Sequence, residues 1–489
     1  MIKKYIEATI NRINDLKAPQ TLQLHNEHYL LKDYNMSIVK IERGFSAKIN
    51  FKTFAGYSSS QMERIALPQP IRLSNGEATY YIPENSILLH QRFKDWFGDD
   101  DSTLDIVGSI DRLSTAESDS NFDKKFLRFV VPVNNSRGKL REIRGWTYET
   151  DVPADHKNLI KVIINKIEYH FFEFTVAGDT YLFIDSTSES TLSEFTNICY
   201  NILLAFGFLY GNLYLDEGYI LSSTSGEFME IADIRFSIYR ESILSSYRMH
   251  TTNAYSVHDM TGKDELERKE KNEEVNKWIN DIVEIEEPVF SALCELFYNQ
   301  EPISRAIIIT LQANLLPLEI KGSAYSLALE AITSVVMKIY KEKRPKPVNP
   351  TLFKNIKSRM LNVLKEILPE QDEYENAHKI LKARIENLNS PTNTDKLQKS
   401  FELVGYELKQ YEKDALNARN KFQHGELPVT DNSEDAITQQ VYFMTIIMHR
   451  LIYTLILKHI GYKGYIINYP QLHCHLTNRD LGEKVFYKL

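Results

Sequence analysis

A chain of 489 residues, 43% hydrophobic and 25% charged, has the composition of a globular protein with room for two domains and a large core. Its net charge of −8 argues against a generally basic nucleic-acid coat, although a local site depends on local fields and not on the total. The charge is uneven: residues 301–489 carry 26 basic and 21 acidic groups, or +5, which leaves −13 for the rest.

The three cysteines, Cys199, Cys294 and Cys474, are far apart and form no pair pattern, so a reducing cytoplasm is expected and a disulfide scaffold is not. The start, MIKKYIEATI, lacks the apolar core of a signal peptide. The most apolar run, Val441 to Ile460, is interrupted by His449 and Arg450, which are costly inside lipid. It reads as a buried helix, and the chain as soluble, cytoplasmic and without a membrane partner.

Residues 1 to about 30 read as helix and then loop. From about 35 to 185 the chain is rich in short β-branched and aromatic runs broken by Pro, Gly, Asn and Ser, such as FLRFVVPV and YHFFEFTVAG, which are strand signals. No glycine-spaced strand–helix pattern accompanies them, which disfavours a nucleotide-binding doubly wound sheet. STLSEFTNICYNILLAFGFLYG changes to helical spacing after a Ser-Thr start. Short strands return at GYILSS, EFMEIAD and FSIYR, and GKDELERKEKNEEVNKWIN is a charge-dense linker or solvated helix.

Beyond about residue 285 every long segment is helical in pattern, up to DKLQKSFELVGYELKQYEKDALNARNKFQHG, read as one long helix ending at Gly425, and EDAITQQVYFMTIIMHRLIYTLILKHIGY. No internal repeat and no sustained heptad is present. The expected fold class is therefore α+β and multidomain: a β-rich N-terminal domain over residues 1–262, a charged helical linker over 263–300 and an all-α bundle over 301–489.

The stretch ARNKFQHGELP, Ala418 to Pro428, concentrates chemistry at a predicted helix end. Asn420 and His424 are four apart and share a helix face, while Arg419 and His424 lie about 140° apart, within the reach of a long side chain. Arginine offers a planar, permanently charged fork that matches phosphate oxygens. Histidine exchanges a proton near neutral pH, and asparagine can orient the imidazole or hold a phosphate oxygen or 2′-hydroxyl. Together they suit RNA cleavage without a metal or other cofactor: the 2′-hydroxyl attacks its own phosphate, histidine acts as base or acid, and arginine stabilises the pentacoordinate charge. The same residues are also what a surface cap on a helix end uses.

RNKFQHG, inside an all-α C-terminal region and followed by an apolar helix ending HIGYKGYIINY, resembles the HEPN superfamily, and within it the ApeA-like HEPN proteins of bacterial anti-phage defence. The likeness covers roughly the last 180 residues; before that it is one of domain order only. It implies a helical bundle that dimerises, bringing two Arg-to-His stretches into one composite site. It further implies a metal-independent endoribonuclease leaving a 2′,3′-cyclic phosphate and a 5′-hydroxyl. Arg419 and His424 would be the catalytic pair, Asn420 the polar residue beside the arginine, and Glu330 on an earlier helix a candidate supporting acid. The partners implied are RNA of host or phage, a second copy of the chain, and a phage-derived trigger at the N-terminal domain. The alternative is a non-catalytic HEPN module for dimerisation and for binding a nucleotide or partner.

Lys421, with Lys341, Lys343 and Arg344 in KEKRPKP, are candidate RNA-phosphate contacts, or simply solvated helix ends. His473-Cys474-His475, read as a strand, puts both histidines on one face with no second cluster to complete a metal site. Asp99–Asp101 read as an exposed turn, and His25 and His28 as surface residues. No metal site is expected.

Overall fold

The computed structural model describes every residue except 1, 26–34, 53–69, 94–102, 134–138, 154, 246, 258–263, 342–345, 369–373, 391–392, 424–432 and 478. The chain divides into two units, Met1–Asn299 and Gln300–Leu489.

The first unit opens with strand β1 (Ile2–Lys4), helix α1 (Glu7–Lys17) and strand β2 (Gln20–Leu24). There follow β3 (Asn35–Lys40), β4 (Phe45–Lys52), β5 (Ile71–Ser74), β6 (Thr79–Ile82), β7 (Ile87–Phe93), β8 (Thr103–Ile110), β9 (Arg112–Ser114) and β10 (Phe126–Pro132). Next come β11 (Tyr148–Thr150), β12 (Asp155–Ile164), β13 (Ile167–Val176) and β14 (Asp179–Ser186), then α2 (Leu192–Tyr210), β15 (Asn212–Leu213), β16 (Glu217–Ser223), β17 (Asp233–Ile238) and β18 (Ile243–Leu244). Two helices close the unit, α3 (Glu265–Trp278) and α4 (Glu287–Asn299).

Fourteen of these strands form one sheet, in the order β12-β13-β14-β10-β16-β17-β9-β6-β5-β2-β3-β4-β8-β7, with every pairing antiparallel. The two hairpins β12–β13 and β13–β14 turn through Asn165-Lys166 and Ala177-Gly178, all four at positive φ, the backbone that matches the twist of a two-residue hairpin. Alternate residues of β13 serve two layers. Phe172 and Phe174 join the core that also holds Ile13 and Leu16 of α1, while Phe171 packs on Phe206 of α2 and Phe290 of α4, with ring centroids 5.6 and 6.2 Å away. Residues 1–30 thus include two strands, β1 and β2, that the helix-then-loop reading missed.

The span read as a linker, 263–300, holds α3 and α4, and both belong to the first unit. The reason lies at the sheet edge. The amides of Lys161 and Ile163 in β12 and of Asn165 in the turn that follows donate to Glu287 Oε1, Ser291 Oγ and Glu295 Oε1 at 2.7, 3.1 and 3.1 Å. Acceptors four apart on one helix face thereby match donors two apart along a strand. An edge strand that would template foreign pairing is covered by side chains.

The second unit is helical: α5 (Glu301–Ala313), α6 (Leu318–Ile339), α7 (Pro350–Ile367), α8 (Glu375–Asn387), α9 (Asn393–Leu403), α10 (Gln410–Gln423), α11 (Glu434–His459) and α12 (Tyr469–Leu476), with a small hairpin of β19 (Tyr465–Ile467) and β20 (Phe486–Lys488). The long helix expected across 395–425 is two helices. Gly405 takes φ +73°, a left-handed conformation that ends α9, and the amides of Gly405 and Tyr406 bond back to Glu402 O and Phe401 O. Among the described residues two helices are long and apolar enough to cross a membrane, Leu192–Tyr210 and the Ile437–His459 part of α11, and 72% and 78% of their most apolar 18-residue stretches is buried inside the protein, as in core helices.

Candidate functional site

The Arg-Asn-His stretch begins on α10, which packs against α6 along residues 322–330. Gly322 permits the close approach, since a Cβ there would fall 2.7 Å from the Phe422 ring. One residue on, Ser323 Oγ donates to Phe422 O at 2.6 Å. Two turns further along α6, Glu330 accepts a charged hydrogen bond from Arg419 Nη1. The candidate supporting acid therefore lies against the candidate arginine, 89 residues away in sequence.

The arginine is not presented on an open edge. Its side chain is 0% exposed, whereas the Glu330 side chain is 31% exposed. Only one of the three guanidinium nitrogens is used: among the described residues, buried Nε and Nη2 have no hydrogen-bond partner. Buried donors left unpaired are costly and uncommon in native proteins. Asn420 and Lys421, the next two residues, are exposed, as is Lys341. His424, Gly425, Lys343 and Arg344 lie outside the described residues. The structure thus brings Arg419 and Glu330 together and places Asn420 and Lys421 beside them on solvent.

A second charged centre holds the other end of α10. Arg450, in the middle of α11, is wholly buried. It donates to Glu412 Oε1, Glu483 Oε2 and Asn468 Oδ1, each at 2.7 Å, and to the Tyr411 hydroxyl at 2.5 Å. Glu412 also accepts from Tyr406 and from the Lys409 amide, at 2.7 and 2.8 Å. Burial alone would raise the Glu483 carboxyl; Arg450 and the hydrogen bonds from Lys409, Tyr411 and Asn468 outweigh it and bring it down to about 2. This network ties α10, α11 and the C-terminal tail together and fixes the helix that carries Arg419. The sequence showed Arg450 only as a break in an apolar run; a charge at mid-helix in such a run needs buried partners, which was the available signal.

His473, Cys474 and His475 lie on α12, not on a strand, so alternate residues diverge around the helix axis instead of sharing a face. His473 rests against the Tyr442 and Phe443 rings at 4.9 and 6.0 Å, and His475 Nε2 is 2.7 Å from the Gln471 amide. Among the described residues no three His, Cys, Asp or Glu side chains gather as a metal site. Asp99–Asp101 and His28 lie outside the described residues, and His25 Nε2 meets Ser74 Oγ at 2.5 Å.

In the first unit, Asp185 takes a two-pronged hydrogen bond from Arg128 at 2.7 and 2.9 Å and a third from Lys4 at 2.7 Å. Burial pushes this carboxyl up, but Arg128 and Lys4 together hold it well below the usual carboxylate range. Arg128 Nη1 also reaches Tyr5 O and Thr9 Oγ1, at 2.5 and 2.8 Å, so this buried cluster fastens the N-terminal segment to the sheet. A cavity of about 560 Å3 opens beside the start of α2, with Tyr200, Phe129 and Tyr239 as its aromatic wall and Arg235, Asp119 and Asn197 among its polar groups. Comparison with protein-family models, with curated proteins and with solved structures finds no match to this chain.

Proposed function

We propose that the protein is a metal-independent endoribonuclease of the HEPN type, acting in anti-phage abortive-infection defence. The observation that carries this reading is the guanidinium of Arg419: held by Glu330 through one nitrogen, it keeps two buried donors without a partner among the described residues. An anionic oxygen is the acceptor that suits such donors best. In the proposed reaction the ribose 2′-oxygen loses its proton to a base and attacks phosphorus, the bond to the 5′-oxygen breaks, and that oxygen takes up a proton. The products are a 2′,3′-cyclic phosphate and a 5′-hydroxyl. His424 is the proton carrier in this reading, Arg419 the stabiliser of charge on phosphorus and Asn420 an orienting group, with Lys421 and Lys341 drawing the RNA backbone. Two copies of the helical unit complete the site, and the N-terminal unit restrains it until a phage-derived trigger binds.

The test is cleavage of end-labelled RNA in EDTA by the wild type and by Arg419→Ala and His424→Ala. Loss of cleavage in both variants supports the reading. Equal cleavage by all three removes the catalytic assignment, and cleavage that needs added divalent metal removes the mechanism.

The complete burial of Arg419 favours a second reading, in which its pair with Glu330 is a structural tie between α10 and α6 and the unit binds a nucleotide or partner without turnover. No cleavage by the wild type, together with loss of stability in Arg419→Ala, would support that reading.

A further inference from the structure

Helices α7 and α8 form an antiparallel hairpin. Val348, just before α7, exchanges two hydrogen bonds of 2.8 Å with Asn389, just after α8, and Lys357 pairs with Glu386 at 3.2 Å. On α7 the half-buried Phe353, Leu361 and Leu364 share one arc with Lys357, the arc that faces α8, and the half-buried Leu368 follows at the helix end. The neighbouring arc is also apolar, and it is open. It holds Leu352, Ile356, Met360, Val363 and Ile367, all exposed, rising to 76% at Ile367. At about 100° per residue these five fall within about 80° of one another. No other helix of the chain has so long an uncovered stripe among the described residues; every residue of α7 is at least partly exposed.

Helix α8 carries a shorter version. His378 and Ile385 turn inward, Leu381 is exposed, and Tyr374 and Leu388, which flank the helix seven residues to either side of Leu381, are exposed as well. On each helix the open arc adjoins the mutual contact in the same rotational sense, and antiparallel helices turn such arcs to one common side. The hairpin therefore presents the two apolar arcs together on one exposed side, as the inner face of a helix bundle would.

We infer that this face is a self-association surface, covered by the same hairpin of a second copy of the chain, related by a twofold axis that runs the two α7 helices antiparallel. Two features of the face bear on this partner: charge on its identity, area on the strength of the contact. The first is charge. The outer edge of the open arc on α7 carries Arg359 and Glu366, both exposed and neither ion-paired among the described residues. A twofold axis near Asn362 and Val363 sets Arg359 against the partner's Glu366 and, by symmetry, repeats the pair, so the edge is complementary to itself. The same register seats Met360 between the partner's Val363 and Ile367. The second is area. A helix of 18 residues is about 27 Å long, and two helices side by side give a face of about 500 Å2. That is larger than the scattered apolar exposure of ordinary surfaces but short of the roughly 800 Å2 per partner of a standard stable interface. The expected dimer is reversible and depends on concentration. The inference rests on the hairpin alone and stands whether or not the protein cuts RNA.

The test is sedimentation equilibrium of the full chain from about 1 to about 100 μM, with association constants compared among variants. The expected result is a monomer–dimer equilibrium in the wild type. Met360→Asp should weaken it by about a hundredfold, because two apolar side chains leave the interface per dimer. Arg359→Glu and Glu366→Arg should each weaken it by about tenfold, and the double variant should return close to wild type. These positions are exposed, so far-ultraviolet circular dichroism and thermal melts should be unchanged. A wild type that stays monomeric, a dimer indifferent to Met360→Asp, or a double swap that fails to restore association would each overturn the proposal. So would flotation of a monomeric protein with phosphatidylserine vesicles, which would assign the face to a membrane instead.

Discussion

Glu412 and Arg450 meet at 2.7 Å with both side chains wholly buried. The pair joins the start of α10 to the middle of α11, and neither charge is left alone, because Tyr406, Tyr411, Asn468 and Glu483 complete the network. Removing one partner strands the other in a low dielectric. Arg450→Met should therefore lower the unfolding free energy by about 3–5 kcal/mol in urea titrations, and Glu412→Gln by a similar amount. The double variant Glu412→Leu, Arg450→Met should cost less than the two single losses added together, because it leaves no unpaired charge between those positions.

How much of this was legible in the sequence depends on the kind of force. Helices announced themselves through apolar spacing: α4 to α8 all lie beyond residue 285, where every long segment reads as helical. Boundaries set by one backbone torsion were harder to see. Gly405 splits a predicted helix because its left-handed φ recovers the carbonyls of Glu402 and Phe401, while the flanking residues stay helical in character. EFMEIAD reads as a strand by composition, yet Phe228 takes φ +57° and only the last residue, Asp233, enters β17. Pairings across the chain were least visible. Glu330 was a candidate partner for Arg419 only through the family resemblance. Nothing local marked Glu483 as the acid that receives Arg450, since the two meet 33 residues apart through tertiary packing.

Gly405 offers a clean backbone test. A Cβ at this position meets nothing within 4 Å, so Gly405→Ala adds no clash and isolates the left-handed torsion. The expected cost is about 1 kcal/mol in chemical unfolding, with an unchanged denaturant slope.

Acid should weaken the helical unit before its carboxylates begin to titrate. Burial, and then the charge of Lys321, push the His449 imidazole down to about 3 from 6.5. The native state holds this ring neutral, whereas the unfolded chain takes up a proton as pH falls through 6.5. The stability contribution is therefore complete above pH 6.5 and declines toward pH 3, at about 1.4 kcal/mol per pH unit. His459 and His473, also lowered chiefly by burial, act in the same direction. Glu483, brought down to about 2 from 4.5, adds its own loss only as pH falls below 4.5. His449→Phe keeps an aromatic ring among Tyr325, Tyr453 and Tyr469. It should flatten the stability profile between pH 6.5 and 4.5; an unchanged slope there would remove His449 as its cause.

Glu330 separates the two readings of the Arg419 pair. Glu330→Gln keeps the shape of the side chain and removes its charge, so in both readings stability should fall by about 1–3 kcal/mol. In the nuclease reading Arg419 also loses the group that aims it, and kcat on RNA should drop by about tenfold or more with little change in KM. If Arg419 is only a tie between helices, the stability loss should be the whole effect, and RNA or nucleotide affinity should be retained in the folded protein.

The covered edge of β12 gives a prediction that can be read residue by residue. Glu287 accepts from the Lys161 amide through one oxygen, at 2.7 Å, and from the Trp146 indole through the other, at 3.0 Å. Ser291 Oγ accepts from Ile163 N at 3.1 Å and itself donates to Lys161 O at 3.3 Å. Glu287→Ala therefore leaves an edge amide and an indole N–H without their acceptors, and Ser291→Ala frees one amide and one carbonyl. Each change should cost about 1–2 kcal/mol. Native-state hydrogen exchange should quicken at Lys161 in the first variant and at Ile163 in the second, with amides in the middle of the sheet, such as Phe129 and Ile220, slowed as before. Combining the two variants exposes two neighbouring donors on one strand, the arrangement that invites intermolecular pairing. Light scattering on mild heating should then rise earlier for the double variant than for either single one. Unaltered exchange at both amides would mean that backbone or water acceptors, not the helix side chains, protect this edge.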